Sequence, residues 1–269
     1  MAPDRSYHWG LENWLLAFTT PELISAFFNT INLTLVRQVI GVVIGVFVAW
    51  LLARTDLPGK HWFEFGFWVT FFMPVLPMVQ AWLFLAHPDR GLINKLLAEI
   101  PFLSWLHFDL YSWWGIVFLH LVTHTIAVKV MLLTPAFRNL DSALEEASRV
   151  HGATNLGTLI KVVFPIMWPI ISVVTILSII RGLESFEIEL VLGGPAGIEV
   201  YTTMIYKLIQ DVVPDYGGAT ALSSIILLIL LPLIWLQAQV NKKASNYSTI
   251  SGKFRTQTFK LGKWRWPLF

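Results

Sequence analysis

The sequence predicts an all-α membrane protein, a polytopic bundle of about five transmembrane helices, and three observations lead there. First, the 269 residues are 55% hydrophobic and 13% charged, with a mean hydropathy of +0.63, whereas a soluble domain carries roughly 25% charged residues to face water. Second, five apolar stretches each reach the length of about 20 residues that a helix needs to cross hydrocarbon. Third, basic residues are divided unequally between alternate loops. Thirteen Trp, nineteen Phe and no Cys exclude a disulfide scaffold, a thiolate metal site and a cysteine nucleophile. A formal charge of +2 gives no reason to expect nucleic acid as a partner.

In chain order, residues 1–28 form an N-terminal segment expected to lie at the interface. It carries Asp4, Glu12 and Glu22 among Trp9, Trp14 and Phe18 and lacks the continuous apolar core of a signal peptide. The five spans are expected over Asn29–Ala53, Phe63–Ala86, Ser112–Phe137, Leu159–Arg181 and Gly217–Val240. Residues 29–240 are thus the transmembrane domain, and 241–269 a basic tail or a linker to a further half. Trp62, Trp105, Trp113, Trp114 and Trp235 fall near span ends, where aromatic belts form. Twelve basic residues lie on the side of the tail and four on the other, which places the N-terminus outside and the C-terminus in the cytoplasm. Twelve acidic residues fall on the outer side.

The connection between the third and fourth spans is more than a tether. Ser142 followed by Glu145 is a capping-box spacing that starts a helix, and Gly152 can take the left-handed conformation that ends one. Asn155 can cap a second helix leading into a span interrupted by Pro165 and Pro169. From spacing alone this helical hairpin is either an interfacial element or a docking surface.

These residues carry a resemblance. Glu146-Ala147-Ser148, then Gly152-Ala153, then Phe164-Pro165 resembles the EAA loop of the permease subunits of binding-protein-dependent ABC importers, with Ser148 in place of the second Ala. The resemblance implies a cytoplasmic coupling helix, with Glu145, Glu146, Ala147, Ser148, Gly152, Ala153 and Pro165 at the contact with cytoplasmic ATPase subunits. Further motifs are similar to the ferric-iron-type branch: Asn29-Thr30, Ala53-Arg54-Thr55-Asp56-Leu57-Pro58-Gly59, Gly91-Leu92-Ile93-Asn94, Glu184 to Glu187, Leu192 to Ile198 and Tyr201 to Tyr206. That likeness implies ferric iron as solute, with thiamine, polyamine, sulfate or phosphonate as alternatives. It also implies a periplasmic or extracellular solute-binding protein, a location in the bacterial inner membrane, and pairing with a second permease half or a second copy. The chain resembles one half of a double-length permease.

The chain has no engine of its own in view. Its Gly-Lys pairs, at Gly59, Gly252 and Gly262, are not followed by the Ser or Thr of a phosphate-binding loop. ATP is therefore expected to be used by a partner subunit, with no cofactor or metal held here. His120 and His124 share helical spacing but lack a third ligand nearby in sequence. They support the competing reading of a membrane enzyme; a structural membrane protein without a transport path is a third. Lys129 and Arg37 are intramembrane charges that line a polar path, pair between helices or snorkel to the interface. Glu184, Glu187 and Glu189 are followed by Gly193-Gly194-Pro195, which can turn the backbone sharply; the resemblance implies that this segment is a gate or docking surface near the outer mouth, favoured over a hard-cation site.

Overall fold

The computed structural model describes residues 10–245 and 262–268, and every regular element among them is helical. Helix α1 (Glu12–Thr19) leads directly into α2 (Pro21–Arg54), which has Pro21 in its first turn, where a missing N–H costs nothing. At 34 residues α2 extends about 51 Å at 1.5 Å per residue, beyond the hydrocarbon thickness. The helix that carries the first span thus begins eight residues before the expected Asn29, within residues 1–28. Ala17 of α1 packs with Tyr201, Leu222 and Ile225; Trp9 lies outside the described residues.

The second expected span is not one helix. It divides into α3 (Lys60–Phe72) and α4 (Val75–Ala86), which meet at 111°. Pro74 is the cause: a residue preceding proline is pushed out of the helical region, and Met73 is extended at φ −73°, ψ 133°. The short α5 (Leu92–Glu99) follows. Its Asn94 staples the loop: Nδ2 donates to the carbonyls of His87, Pro88 and Phe108, at 3.1, 3.2 and 2.8 Å, and Oδ1 accepts from the Phe108 N–H at 2.8 Å.

Helix α6 (Trp113–Arg138) is capped by Ser112, whose Oγ accepts from the Gly115 N–H at 3.0 Å. A π turn at Leu121–Thr125 widens it midway. Next come α7 (Ser142–Val150), the single turn Asn155–Thr158 and α8 (Leu159–Leu183). The expected interruption at Pro165 and Pro169 does not occur. A π turn over Leu159–Val163 adjusts the helix ahead of Pro165, and α8 continues through Pro169. After a second connection come α9 (Tyr201–Gln210) and α10 (Tyr216–Ser245); residues 246–261 of the expected tail lie outside the description.

Two apolar cores hold the bundle. At the α7 end, Val46, Ala49 and Ala53 of α2 meet Leu133 and Phe137 of α6 and Val163, Met167 and Ile171 of α8. At the opposite end, Leu33, Val79, Ile116 and Leu119 enclose Ile188 and Leu192. The central pair, α2 and α6, approaches closely because Gly41 and Gly45 lie against Thr125 and Lys129: a Cβ on Gly45 would stand 2.6 Å from the Lys129 Cβ. Trp62, Trp105, Trp114 and Trp235 are exposed, as interface anchors require, and Trp113 is half-buried.

Candidate functional site

The α7 hairpin is built by three local devices. Asp141 caps it, accepting from the Ala143 N–H at 2.9 Å; Ser142, expected in that role, is the first helical residue. Gly152 ends the helix at φ +84°, with its N–H on the Arg149 carbonyl at 2.9 Å and that of Ala153 on the Ser148 carbonyl at 3.1 Å, the paired bonds of a Schellman turn. Thr154 rather than Asn155 starts the return arm, its Oγ1 accepting from the Gly157 N–H at 3.1 Å. The hydroxyls of Ser148 and Thr158, 3.1 Å apart, join the two arms.

One buried ion pair ties this hairpin to the bundle. Arg54, at the end of α2, pairs through Nη2 with Glu145 Oε1, both side chains fully buried, while its Nη1 donates to the Leu140 carbonyl at 3.2 Å. Burial pushes the Glu145 carboxyl up, and the Arg54 guanidinium opposes it. Glu145 therefore faces inward, contrary to the expectation that it lies at an outward contact. The exposed face consists of Ala143, Glu146, Ala147 and Val150, at helical spacings of three and four; Val150 is 83% exposed. Gly152 and Pro165 are exposed as well, whereas Ser148 and Ala153 are half-buried. A helix of a self-sufficient protein turns its apolar stripe inward, whereas α7 buries the charged Glu145 and exposes Ala143, Ala147 and Val150 around Glu146.

The second polar centre lies among the helices. Arg37 of α2 donates from Nη1 to Glu189 Oε1 at 3.3 Å and lies against His120 Nε2; its Nη2 reaches the Gly182 carbonyl and, at 3.4 Å, Thr34 Oγ1. Glu189 Oε1 also takes His120 Nε2 at 2.8 Å and the Ser185 hydroxyl at 2.5 Å. One level towards α7, Lys129 Nζ donates to Gln38 Oε1 at 2.6 Å and the Thr125 carbonyl at 3.1 Å, and Gln38 Nε2 donates to the Ser178 carbonyl at 2.9 Å. Lys129 is thus a buried helix-to-helix tie, which excludes the snorkelling alternative.

Other expected residues separate. His120 joins Glu189, whereas the Nδ1 of His124, which lies within the π turn Leu121–Thr125, is buried without a hydrogen-bond partner. Among the described residues no group of three metal-ligating side chains converges. Glu184 and Glu187 are exposed, while their neighbour Glu189 turns inward. Two motifs distant in sequence come together: Asn29 Nδ2 donates to the Glu199 carbonyl at 3.0 Å, and Thr30 Oγ1 accepts from the Tyr201 N–H at 2.9 Å. Sequence reasoning missed Arg54 as the partner of Glu145, and Gln38 and Ser178 altogether. Arg54 lay within a quoted motif, and the intramembrane Arg37 and Lys129 were the signal that polar partners had to exist.

A helical hairpin held by Arg54 between two spans is the setting in which comparison with known proteins becomes informative. Residues 41–246 match the family described as binding-protein-dependent transport system inner membrane component. The chain belongs to this family. It is a multi-pass, membrane-spanning transport component of a binding-protein-dependent ABC importer. The sulfate transport system permease protein CysT of Synechococcus elongatus is 28% identical over 239 residues, 87% of this chain and 82% of that protein. CysT of Salmonella typhimurium is 28% identical over 236 residues, 84% and 80% of the two chains. The fold is shared with a bacterial ABC transporter involved in import of the acidic polysaccharide alginate, with a TM-score of 0.73, 18% identity, and coverage of 91% of this chain and 86% of that one. The resemblance to the ferric-iron-type branch gains no support from these relatives, two of which are named for sulfate.

Proposed function

We propose that the chain forms half of the translocation pathway of an ATP-driven sulfate importer and couples to its ATPase through α7. The observation that carries the coupling is the outward stripe Ala143, Glu146, Ala147 and Val150 on a helix anchored from behind by Arg54 and Glu145. A helix braced from behind, with Ala143, Ala147 and Val150 set around Glu146 on its outer face, is suited to transmit force from a docked subunit to α2, α6 and α8. Sulfate replaces ferric iron as the favoured solute on the strength of the two relatives named for it, each aligned over most of this chain. Selection among solutes falls to a separate binding protein, the pathway is completed by a second copy or second permease half, and residues 29–240 serve as its transmembrane domain. The basic-residue asymmetry supports an orientation with α7 in the cytoplasm and the N-terminus outside.

The test is ATP-driven uptake of labelled sulfate by proteoliposomes holding the chain with its ATPase and binding protein. Glu146→Ala and Ala147→Arg are expected to leave membrane insertion intact while uptake falls about tenfold or more relative to ATP hydrolysis, the scale of losing about 1.4 kcal/mol of interface. Uptake indifferent to both substitutions contradicts the coupling role. Accumulation of another solute in place of sulfate contradicts the substrate.

A further inference from the structure

At the end of the bundle opposite α7, residues 184–200 form a small cap over the core. Its π turn Glu189–Gly193 presents Ile188 and Leu192, both buried, to Leu33 of α2 and to Ile116 and Leu119 of α6. The cap is closed on itself, with the Ile198 N–H on the Gly193 carbonyl at 2.8 Å and Gly197 turning the chain at φ +68°. It is tied to α9 through Thr202 Oγ1, which donates to the Ser185 carbonyl at 2.6 Å. Besides apolar contact and the Asn29 Nδ2 bond to the Glu199 carbonyl at 3.0 Å, what fixes it to the bundle is Glu189, held by Arg37 of α2 and His120 of α6.

The bonding there is lopsided. Glu189 Oε1 receives Arg37, His120 and Ser185, while Glu189 Oε2 and Arg37 Nε are buried without a hydrogen-bond partner. His120 Nε2 faces both a guanidinium, which only donates, and a carboxylate, which only accepts. A fully satisfied network would make a permanent brace. A partly satisfied one carries a large desolvation cost that lifting the cap into water would relieve. Gly182 completes the device: a Cβ there would stand 2.6 Å from Thr34 Cγ2 and 3.2 Å from Arg37 Nη2, so the end of α8 lies against the very residue that grips the cap.

We infer that Arg37 and Glu189, with His120 and Ser185, are the latch that holds the 184–200 cap shut across the mouth opposite α7, and that its release admits solute. This rests on the importer reading, in which that mouth must be sealed while the other end is open. Movement of α2 or α8, the helices adjoining the α7 hairpin, displaces Arg37 or Gly182 and so reaches the latch from the far end of the bundle.

The absence of Cys makes the test direct. Leu192→Cys on the buried side of the cap and Val163→Cys in the other core, each fully shielded, are labelled separately with a membrane-impermeant maleimide in the intact chain in proteoliposomes, without ATPase. Adding Glu189→Gln, or Arg37→Gln with Glu189→Gln, is expected to speed labelling at Leu192→Cys about tenfold or more, since breaking a buried pair frees its element. Ser185→Ala is expected to give a smaller increase, and labelling at Val163→Cys to stay unchanged. Unaltered labelling at Leu192→Cys overturns the latch. So does a parallel rise at both positions, which would make the pair a general brace of the fold. Failure of the importer reading is seen separately, as absence of ATP-driven uptake by the unmodified protein.

Discussion

Arg54 at the end of α2 and Glu145 on α7, 91 positions apart, form an ion pair from which solvent is wholly excluded. It makes the first long helix and the hairpin one mechanical unit. Removing one partner leaves the other charge buried and unpaired, a cost of about 3–5 kcal/mol, whereas replacing both by apolar residues of similar size is close to neutral. Glu145→Ala and Arg54→Ala are each expected to speed tryptic cleavage at Arg149 on α7, and Arg54→Met with Glu145→Leu to restore much of the protection. Equal protection in all the variants would show that the pair does not anchor the hairpin.

Gly45 has no room for a side chain, because Lys129 stands against it. Gly45→Leu is expected to force α2 and α6 apart and destabilise the purified protein by about 1–3 kcal/mol, read as a lowered melting temperature. Gly66→Ala on α3, where a Cβ meets nothing within 4 Å, is expected to be neutral or to stabilise by up to about 1 kcal/mol, as alanine replaces glycine in a helix.

Asn94 makes four hydrogen bonds to the backbone of the loop around it. Asn94→Asp removes the three donated by Nδ2 and sets a carboxylate against carbonyls, at about 1–3 kcal/mol for the groups left unsatisfied. Proteolysis between residues 100 and 110 is expected to accelerate while cleavage of the α7 hairpin is unaffected.

Gly152 is a conformational requirement rather than a packing one, since a Cβ there meets nothing within 4 Å but φ is +84°. Gly152→Ala is therefore expected to cost about 1–2 kcal/mol through left-handed strain alone. Gly152→Asn should cost less. The ratio of sulfate taken up to ATP hydrolysed is expected to fall in the order Gly, Asn, Ala.

What the sequence disclosed was chiefly what short-range chemistry decides. Span composition gave the all-α membrane fold, and the glycine at 152 marked the end of α7 before its bonds were visible. Pro74 was equally readable as a break between α3 and α4, but apolar composition is indifferent to direction and the run was taken as one span. Ser142 and the Asp141 that precedes it are both residue types that cap helices well, and only the backbone path decides between them. The pairings that define the polar centres were beyond reach: Glu145 with Arg54 and Glu189 with Arg37 join residues 91 and 152 positions apart. A carboxylate in a motif carries no sign of whether it faces a partner protein or its own core. Periodicity also could not separate His120 from His124, because their helical spacing is the same whether or not each meets a partner, and only His120 reaches Glu189.

Force passing through the outward face of α7 is tested most directly by site-specific crosslinking in this cysteine-free chain. Val150→Cys, assembled with an ATPase subunit carrying a single cysteine at its membrane-facing surface, is expected to form a disulfide whose formation halts ATP-driven uptake and whose reduction restores it. Asp215→Cys, exposed next to α10 at the opposite end, is expected to form none. Failure of Val150→Cys to crosslink in an assembled, transporting complex, or crosslinking that leaves uptake unchanged, would contradict the coupling role of α7.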